Sequence, residues 1–503
     1  MKLKTKDSYS AKLLKGTTIV ITFTIFSSIL GYILKFILAR NLEVNDIGLF
    51  YTVYGFVMFF VFLRDLGSSE TLVYFIPRYL IENSKNKIKS LIILTLLIQI
   101  SVGLILSSIF YVFSDLLVIY YFKNSMAKTL LLAFSIYFIL DGLSETLYGV
   151  FQGYQIMLFN QGIEFVFQLF SFVLFIIFIY LGLTVSSFGF IYIISSIITA
   201  VIFYFLFFKK VFPNFFEIKS IISKNFIKHT LKFSLPTMTG GIAMLVFSQQ
   251  SIFFLTYFVG LESVGYYVMA MSLAKFSNFF VNATKQVFSP MISQLWKNKN
   301  IHELNNLFNR ILIYAYSISI PISLILIFFS DEILTLIFTN KFLPANQILK
   351  FQSIYMLFFT LTLLFRMLFL NMGFPKKARN IVYVALFFNL FFNILLVPKF
   401  GLIGVGVADV VSVILSFLYS MYLVKKNLPI KIKLNDFFKI LVSSFLFTLS
   451  IVFFKKIFSL NFITELIIVN FISGSIYLGS LFIFKIFNID EIIKMNKLFF
   501  TKK

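Results

Sequence analysis

The chain is a ladder of apolar tracts separated by short polar breaks, and each tract is about as long as the 20 residues a helix needs to cross a bilayer core. Fourteen such spans are expected, near residues 16–38, 48–68, 90–113, 127–149, 160–182, 186–208, 231–256, 264–284, 308–329, 347–371, 379–397, 402–424, 437–458 and 462–487. Turn chemistry closes several of them, as at Tyr180-Leu181-Gly182 and Pro398-Lys399-Phe400-Gly401. The expected fold class is an all-α polytopic membrane protein with about 14 transmembrane helices, resident in the cytoplasmic membrane. Lys2, Lys4, Lys6, Lys12 and Lys15 precede the first span, which has no small-x-small cleavage pattern and is expected to be a retained helix.

Of the 503 residues 59% are hydrophobic, 72 are Phe and only 13% are charged, which excludes an ordinary soluble enzyme. The formal charge of +24 nonetheless invites a nucleic-acid reading. Where the charges fall removes it. With the N-terminus inside, 32 of the 44 Lys and Arg lie on the cytoplasmic side and 8 outside, the bias that sets orientation in membrane proteins. The basicity therefore reports an N-in, C-in topology and contact with anionic inner-leaflet lipids, and no nucleic-acid partner is expected. The absence of cysteine excludes disulfides, thiolate metal sites and cysteine nucleophiles. His229 and His302 sit in polar stretches and are expected to be solvated. No catalytic residue, metal or cofactor is expected.

No loop is long enough to be a domain. The largest polar stretch, near 209–230, is expected to be a cytoplasmic linker between a six-helix lobe at 1–208 and another at 231–424. A further hairpin at 437–487 and a cytoplasmic tail at 488–503 complete the expected organisation. A local repeat supports duplication. Arg40-Asn41-Leu42-Glu43-Val44-Asn45-Asp46-Ile47-Gly48-Leu49-Phe50-Tyr51 after the first span is echoed by Val259-Gly260-Leu261-Glu262-Ser263-Val264-Gly265-Tyr266-Tyr267 after the seventh, both tight acidic turns ending in Gly and an aromatic. Transporters are commonly built from such repeats.

The segment from Phe36-Ile37-Leu38-Ala39-Arg40-Asn41-Leu42 through Asp46-Ile47-Gly48-Leu49-Phe50 to Asp65-Leu66-Gly67 and Phe75-Ile76-Pro77-Arg78 resembles the opening of the polysaccharide-transporter, or oligosaccharide flippase, branch of the multidrug/oligosaccharidyl-lipid/polysaccharide exporter superfamily. Leu235-Pro236 and Leu402-Ile403-Gly404-Val405-Gly406-Val407-Ala408 extend the likeness. The resemblance implies export of a lipid-linked oligosaccharide by rocking of two lobes, with membrane lipids as surroundings and glycan-assembly enzymes as neighbours.

Charges inside the membrane are costly, so each is a functional candidate. In span eight, Lys275, Asn278, Asn282 and Lys285 are spaced by three and four residues and fall on one helical face. Lys275 is nearest mid-span and is the leading substrate-binding candidate, against a structural role in an ion pair. Arg366 shares a face with Tyr355 and Thr362 and suits bidentate phosphate binding, against snorkelling to the interface. Lys35 shares a face with Ser27 and Gly31 near the outer end of span one, and Arg64 adjoins Asp65 in span two, where an ion pair competes with substrate binding. Asp141, Glu145 and Glu164, the last flanked by Gln161 and Gln168, form an acidic group on spans four and five that suits H+ or Na+ coupling, or else neutralises Arg64. Asp409 has no partner legible in the sequence. A cavity with cations and many amides and hydroxyls fits a phosphate-bearing sugar lipid. The carboxylates keep a cation-coupled drug antiporter as the alternative, and short outer loops weigh against a glycosyltransferase or polymerase.

Overall fold

The computed structural model describes residues 6–457 and 462–486, with some side chains omitted before Thr18 and within 236–244 and 279–290. Among the described residues the regular structure is helical throughout, as it must be where lipid offers backbone groups no hydrogen bonds. The first stretch runs α1 (Lys6–Asn41), α2 (Val44–Phe59), α3 (Val61–Asp65), α4 (Ser68–Ile81), α5 (Lys85–Val112), α6 (Ser114–Leu117), α7 (Met126–Gly153), α8 (Met157–Tyr180) and α9 (Ser187–Leu206). It is followed by α10 (Lys224–Phe258), α11 (Leu261–Ala274), α12 (Phe279–Lys297), α13 (Ile301–Phe328) and α14 (Ser330–Ile337). The last are α15 (Asn346–Asn371), α16 (Pro375–Asn427), α17 (Leu434–Ile457) and α18 (Phe462–Ile483).

Eleven helical stretches of the described residues are long and apolar enough to cross a membrane. One of them, α16, spans two of the expected tracts, because Gly401 (φ 53°, ψ −128°) breaks the helix just after Pro398. The remaining difference from fourteen lies in the middle of the chain. Among the described residues, Leu245–Phe258 is an apolar stretch of α10. The eighth tract is interrupted by a 3-10 turn at Lys275–Asn278.

By packing, the chain divides into two compact units. The first runs to Val268 and includes Asn393–Leu402, and the second holds Met269–Phe392 and resumes at Ile403. In the first, Leu72 and Ile76 of α4, Leu91 of α5, Leu147 and Phe151 of α7 and Phe203 of α9 make a buried apolar cluster. In the second, Phe308 and Leu312 of α13 pack with Leu364, Phe365 and Leu368 of α15. The α17–α18 hairpin is tied to α13 and α14 by polar contacts. The Tyr477 hydroxyl donates to the Ser317 carbonyl at 3.1 Å, and Lys455 pairs with Glu332.

The Asp65-Leu66-Gly67 motif is a sharp corner. Leu66 (φ 51°) and Gly67 (φ 72°) both adopt left-handed backbone, which ends α3 and starts α4. The Asp65 carboxylate holds this corner by accepting from the Ser68 hydroxyl at 3.0 Å, the Ser69 amide at 3.0 Å, the Ser69 hydroxyl at 2.6 Å and Gln99 Nε2 at 2.6 Å. A carboxylate beside the first free amides of a helix is favoured there both by capping and by the helix dipole.

Candidate functional site

Helices α7 and α8 are joined by a tight turn and braced where Asn160 Nδ2 donates to the Tyr148 carbonyl at 3.0 Å. This places Asp141 and Glu145, one turn apart on α7, opposite Gln161, Glu164 and Gln168 on α8. All five line one cavity of about 420 Å³, closed by Tyr54 of α2 and Tyr192, Ser196 and Thr199 of α9. The three proposed coupling carboxylates therefore meet in a single polar chamber within the first unit.

Arg64 stands behind this chamber. Its side chain is fully buried, with Nη2 2.9 Å from Asp141 Oδ2, Nη1 donating to the Phe138 carbonyl and the guanidinium 4.6 Å from the Phe138 ring centroid. It lines none of the described cavities and it pairs across helices with Asp141, while its sequence neighbour Asp65 is occupied in capping α4. Asp141 is thus matched in charge, and its Oδ1 also accepts from the Tyr137 hydroxyl at 3.3 Å. Glu164 accepts from Gln168 Nε2 at 3.1 Å. Glu145 accepts no hydrogen bond and forms no ion pair among the described residues. No cationic side chain lines this cavity.

A second cavity of about 390 Å³ opens between α1 and α8. Ser27, Gly31 and Lys35 line it from α1, as their common face predicts, together with Gln161, Glu164 and Gln168 from α8. The two cavities thus share one wall, and Lys35 reaches the face of α8 that carries Glu164.

In the second unit the span-eight stripe begins in a 3-10 turn. Its spacing argument assumes an unbroken α-helix, whereas the 3-10 turn at Lys275–Asn278 changes the rotation per residue. Lys275 is exposed. Asn278 is buried against α15, where its Nδ2 lies 3.0 Å from Met356 Sδ and its Oδ1 accepts from the Thr360 hydroxyl. The side chains of Asn282 and Lys285 lie outside the described residues. Arg366 is half-buried on α15, while Tyr355 and Thr362 are buried.

Asp409, for which the sequence shows no partner, is buried among amides. Gln352 Nε2 donates to its Oδ2 at 2.7 Å and Asn389 Nδ2 to its Oδ1 at 2.8 Å. Those donors lie 57 and 20 residues away in sequence, beyond the reach of helical spacing. His229 and His302 are both exposed, and no cluster of metal-ligating side chains occurs among the described residues.

The apolar helices make this a multi-pass membrane protein, and its family matches make it a transporter of the multidrug/oligosaccharidyl-lipid/polysaccharide exporter superfamily. Within it, the chain belongs to the polysaccharide biosynthesis protein family, whose model matches residues 13–296, and the MatE model matches 236–396. An uncharacterized membrane protein of Methanocaldococcus jannaschii is 27% identical over 500 residues, covering 96% of this chain and 98% of its own length. A probable low-salt glycan biosynthesis flippase of Haloferax volcanii is 21% identical over 266 residues, 53% of this chain and 54% of its own. Among solved structures, an inward closed conformation of the lipid II flippase MurJ shares the fold, with a TM-score of 0.73 at 20% identity, over 93% of this chain and 98% of that one.

Proposed function

We propose that the protein carries a lipid-linked oligosaccharide, a precursor of a surface polysaccharide or protein glycan, from the cytoplasmic to the outer leaflet by alternating access. The observation that carries this reading is the chamber of carboxylates, amides and hydroxyls enclosed by apolar helices. Polar groups at that depth are costly to maintain, and they match the hydroxyl-rich headgroup of a sugar lipid. The glycan flippase and lipid II flippase among the relatives support the same substrate class. In this reading Lys275 and Arg366 contact the lipid phosphate, and Asn278 and Asn282 support the cationic segment. Lys35 serves the headgroup in the first unit, with Arg64 acting through Asp141. Asp141, Glu145 and Glu164 take up a coupling cation, H+ or Na+.

The test is glycan export in a strain that lacks its own copy of the gene. K275A and R366A are each expected to reduce export at least tenfold, and full export in both variants would remove the cationic site. Dissipating the proton and sodium gradients is expected to stop export. Export that continues without either gradient would remove the coupling role of the carboxylates.

A further inference from the structure

The chamber formed by α2, α7, α8 and α9 is larger than a coupling ion needs. A water-sized occupant takes about 30 Å³, whereas about 420 Å³ lies within the roughly 300–1,000 Å³ of small-molecule sites. Five aromatic rings line it, Tyr148 and a set of four: Tyr54, Tyr137, Phe167 and Tyr192. The four form one packed group, with centroids 5.3 Å apart for Tyr137 and Tyr192, 5.5 Å for Phe167 and Tyr192, and 5.6 Å for Tyr54 and Tyr192, all edge to face. Such packing fixes the rings in place before any ligand arrives.

The charged groups of the wall are acids. Arg64 balances Asp141 from behind and Lys35 borders Glu164 from the adjoining cavity, which leaves Glu145 as the carboxylate of the wall without an ion pair among the described residues. A carboxylate excess beside aromatic rings is the chemistry that selects an ammonium group, since both the charges and the ring quadrupoles attract it. A phosphate would be repelled by the same wall. A neutral hexose would be held by Gln161, Gln168 and Ser144 but would leave Glu145 without a charge partner.

We propose that this chamber receives the protonated amine of an amino sugar in the transported glycan, with Glu145 and Glu164 as charge partners and the four rings as walls. The flippase reading supplies the molecule that delivers the amine, whereas the binding of the amine follows from the chamber alone.

The full-length protein, purified in detergent, is titrated at neutral pH with D-glucosamine, D-glucose, N-acetyl-D-glucosamine and ethanolamine, and heats of binding are recorded. Glucosamine is expected to bind at least tenfold more tightly than each of the other three, and E145Q to weaken it at least tenfold at an unchanged melting temperature. Should E145Q fail to fold, E164Q is read in its place. Equal binding of the three sugars, no binding at all, or glucosamine affinity unaffected by E145Q overturns the proposal. Ethanolamine bound as tightly as glucosamine overturns the sugar assignment and points to a lipid or other simple amine. Glycan export that proceeds in cells while glucosamine shows no preference removes the amine site and leaves the flippase standing. Selective glucosamine binding by a protein that exports no glycan does the reverse.

Discussion

Gly48 on α2 and Gly265 on α11 approach each other's helices reciprocally. A Cβ on Gly48 would lie 1.8 Å from the Leu261 carbonyl oxygen, and one on Gly265 would lie 2.3 Å from the Val44 carbonyl oxygen. Each glycine therefore faces the opening turn of the other helix, and these are the two acidic Gly turns that repeat in the sequence. Both glycines are buried. The obstructing atoms are backbone, so no side-chain rotation relieves the clash.

G48A and G265A should each lower stability by about 1–3 kcal/mol or more, the range for overpacked cores. Thermal unfolding of the detergent-purified protein measures it. G474A, where a Cβ would meet nothing within 4 Å, should melt with the wild type. Wild-type melting in G48A would show that the two turns do not hold this distance in the protein.

Arg64 and Asp141 form a pair in which the arginine is fully buried and the aspartate partly so, with side-chain exposures of 0% and 29%. Removing one partner of a buried pair leaves an uncompensated charge, at a cost of about 3–5 kcal/mol. R64A and D141A should each fall in that range in chemical denaturation. R64M/D141L, which removes both charges and retains the volume, should recover most of the loss. A double variant as unstable as the singles would show that the guanidinium contacts to Phe138 matter more than the pair. Arg64→Lys should fall between, because an ammonium keeps the charge and loses the fork.

The Asp65 corner should be equally open to measurement. D65A leaves the Ser68, Ser69 and Gln99 donors without their acceptor and should cost about 1–3 kcal/mol. D65N retains one acceptor oxygen and should cost less. Amide hydrogen exchange across 66–72 locates the effect: faster exchange confined to the start of α4 is expected, and uniform acceleration along the chain would contradict a capping role.

What the sequence discloses follows the range of each interaction. Apolar tracts of about 20 residues have one stable solution in lipid, so the helical class is legible from length alone. The convergence of Asp141, Glu145 and Glu164 is also legible, because spacings of one turn on two consecutive helices survive folding unchanged. The aromatic wall is not. Among 72 Phe and 25 Tyr, nothing marks Tyr54 and Tyr192 as neighbours until α2 and α9 meet. The 3-10 turn at Lys275–Asn278 is a local change of helix type that no periodicity count registers. The amide cage of Asp409 is a long-range pairing, which the sequence records only as isolated polar residues, and the repeat that contains Gly48 and Gly265 does not disclose that its two turns meet.

Orientation remains a proposal that the chain itself makes easy to test, because it contains no cysteine and any introduced thiol is unique. Lys123 and Lys209 are both exposed, and they stand on opposite sides in the topology with both termini inside. The asymmetry of Lys and Arg predicts that Lys123→Cys reacts with a membrane-impermeant maleimide added to intact cells. Lys209→Cys should react only after the membrane is opened. Comparable glycan export by both variants would show that they are inserted normally. Labelling at position 209 together with protection at 123 would invert the topology, and with it the sidedness of the basic segments assigned to the anionic inner leaflet. Labelling of both positions in intact cells would mean that an odd number of spans between them is wrong, placing the error in the stretch from α7 to α9.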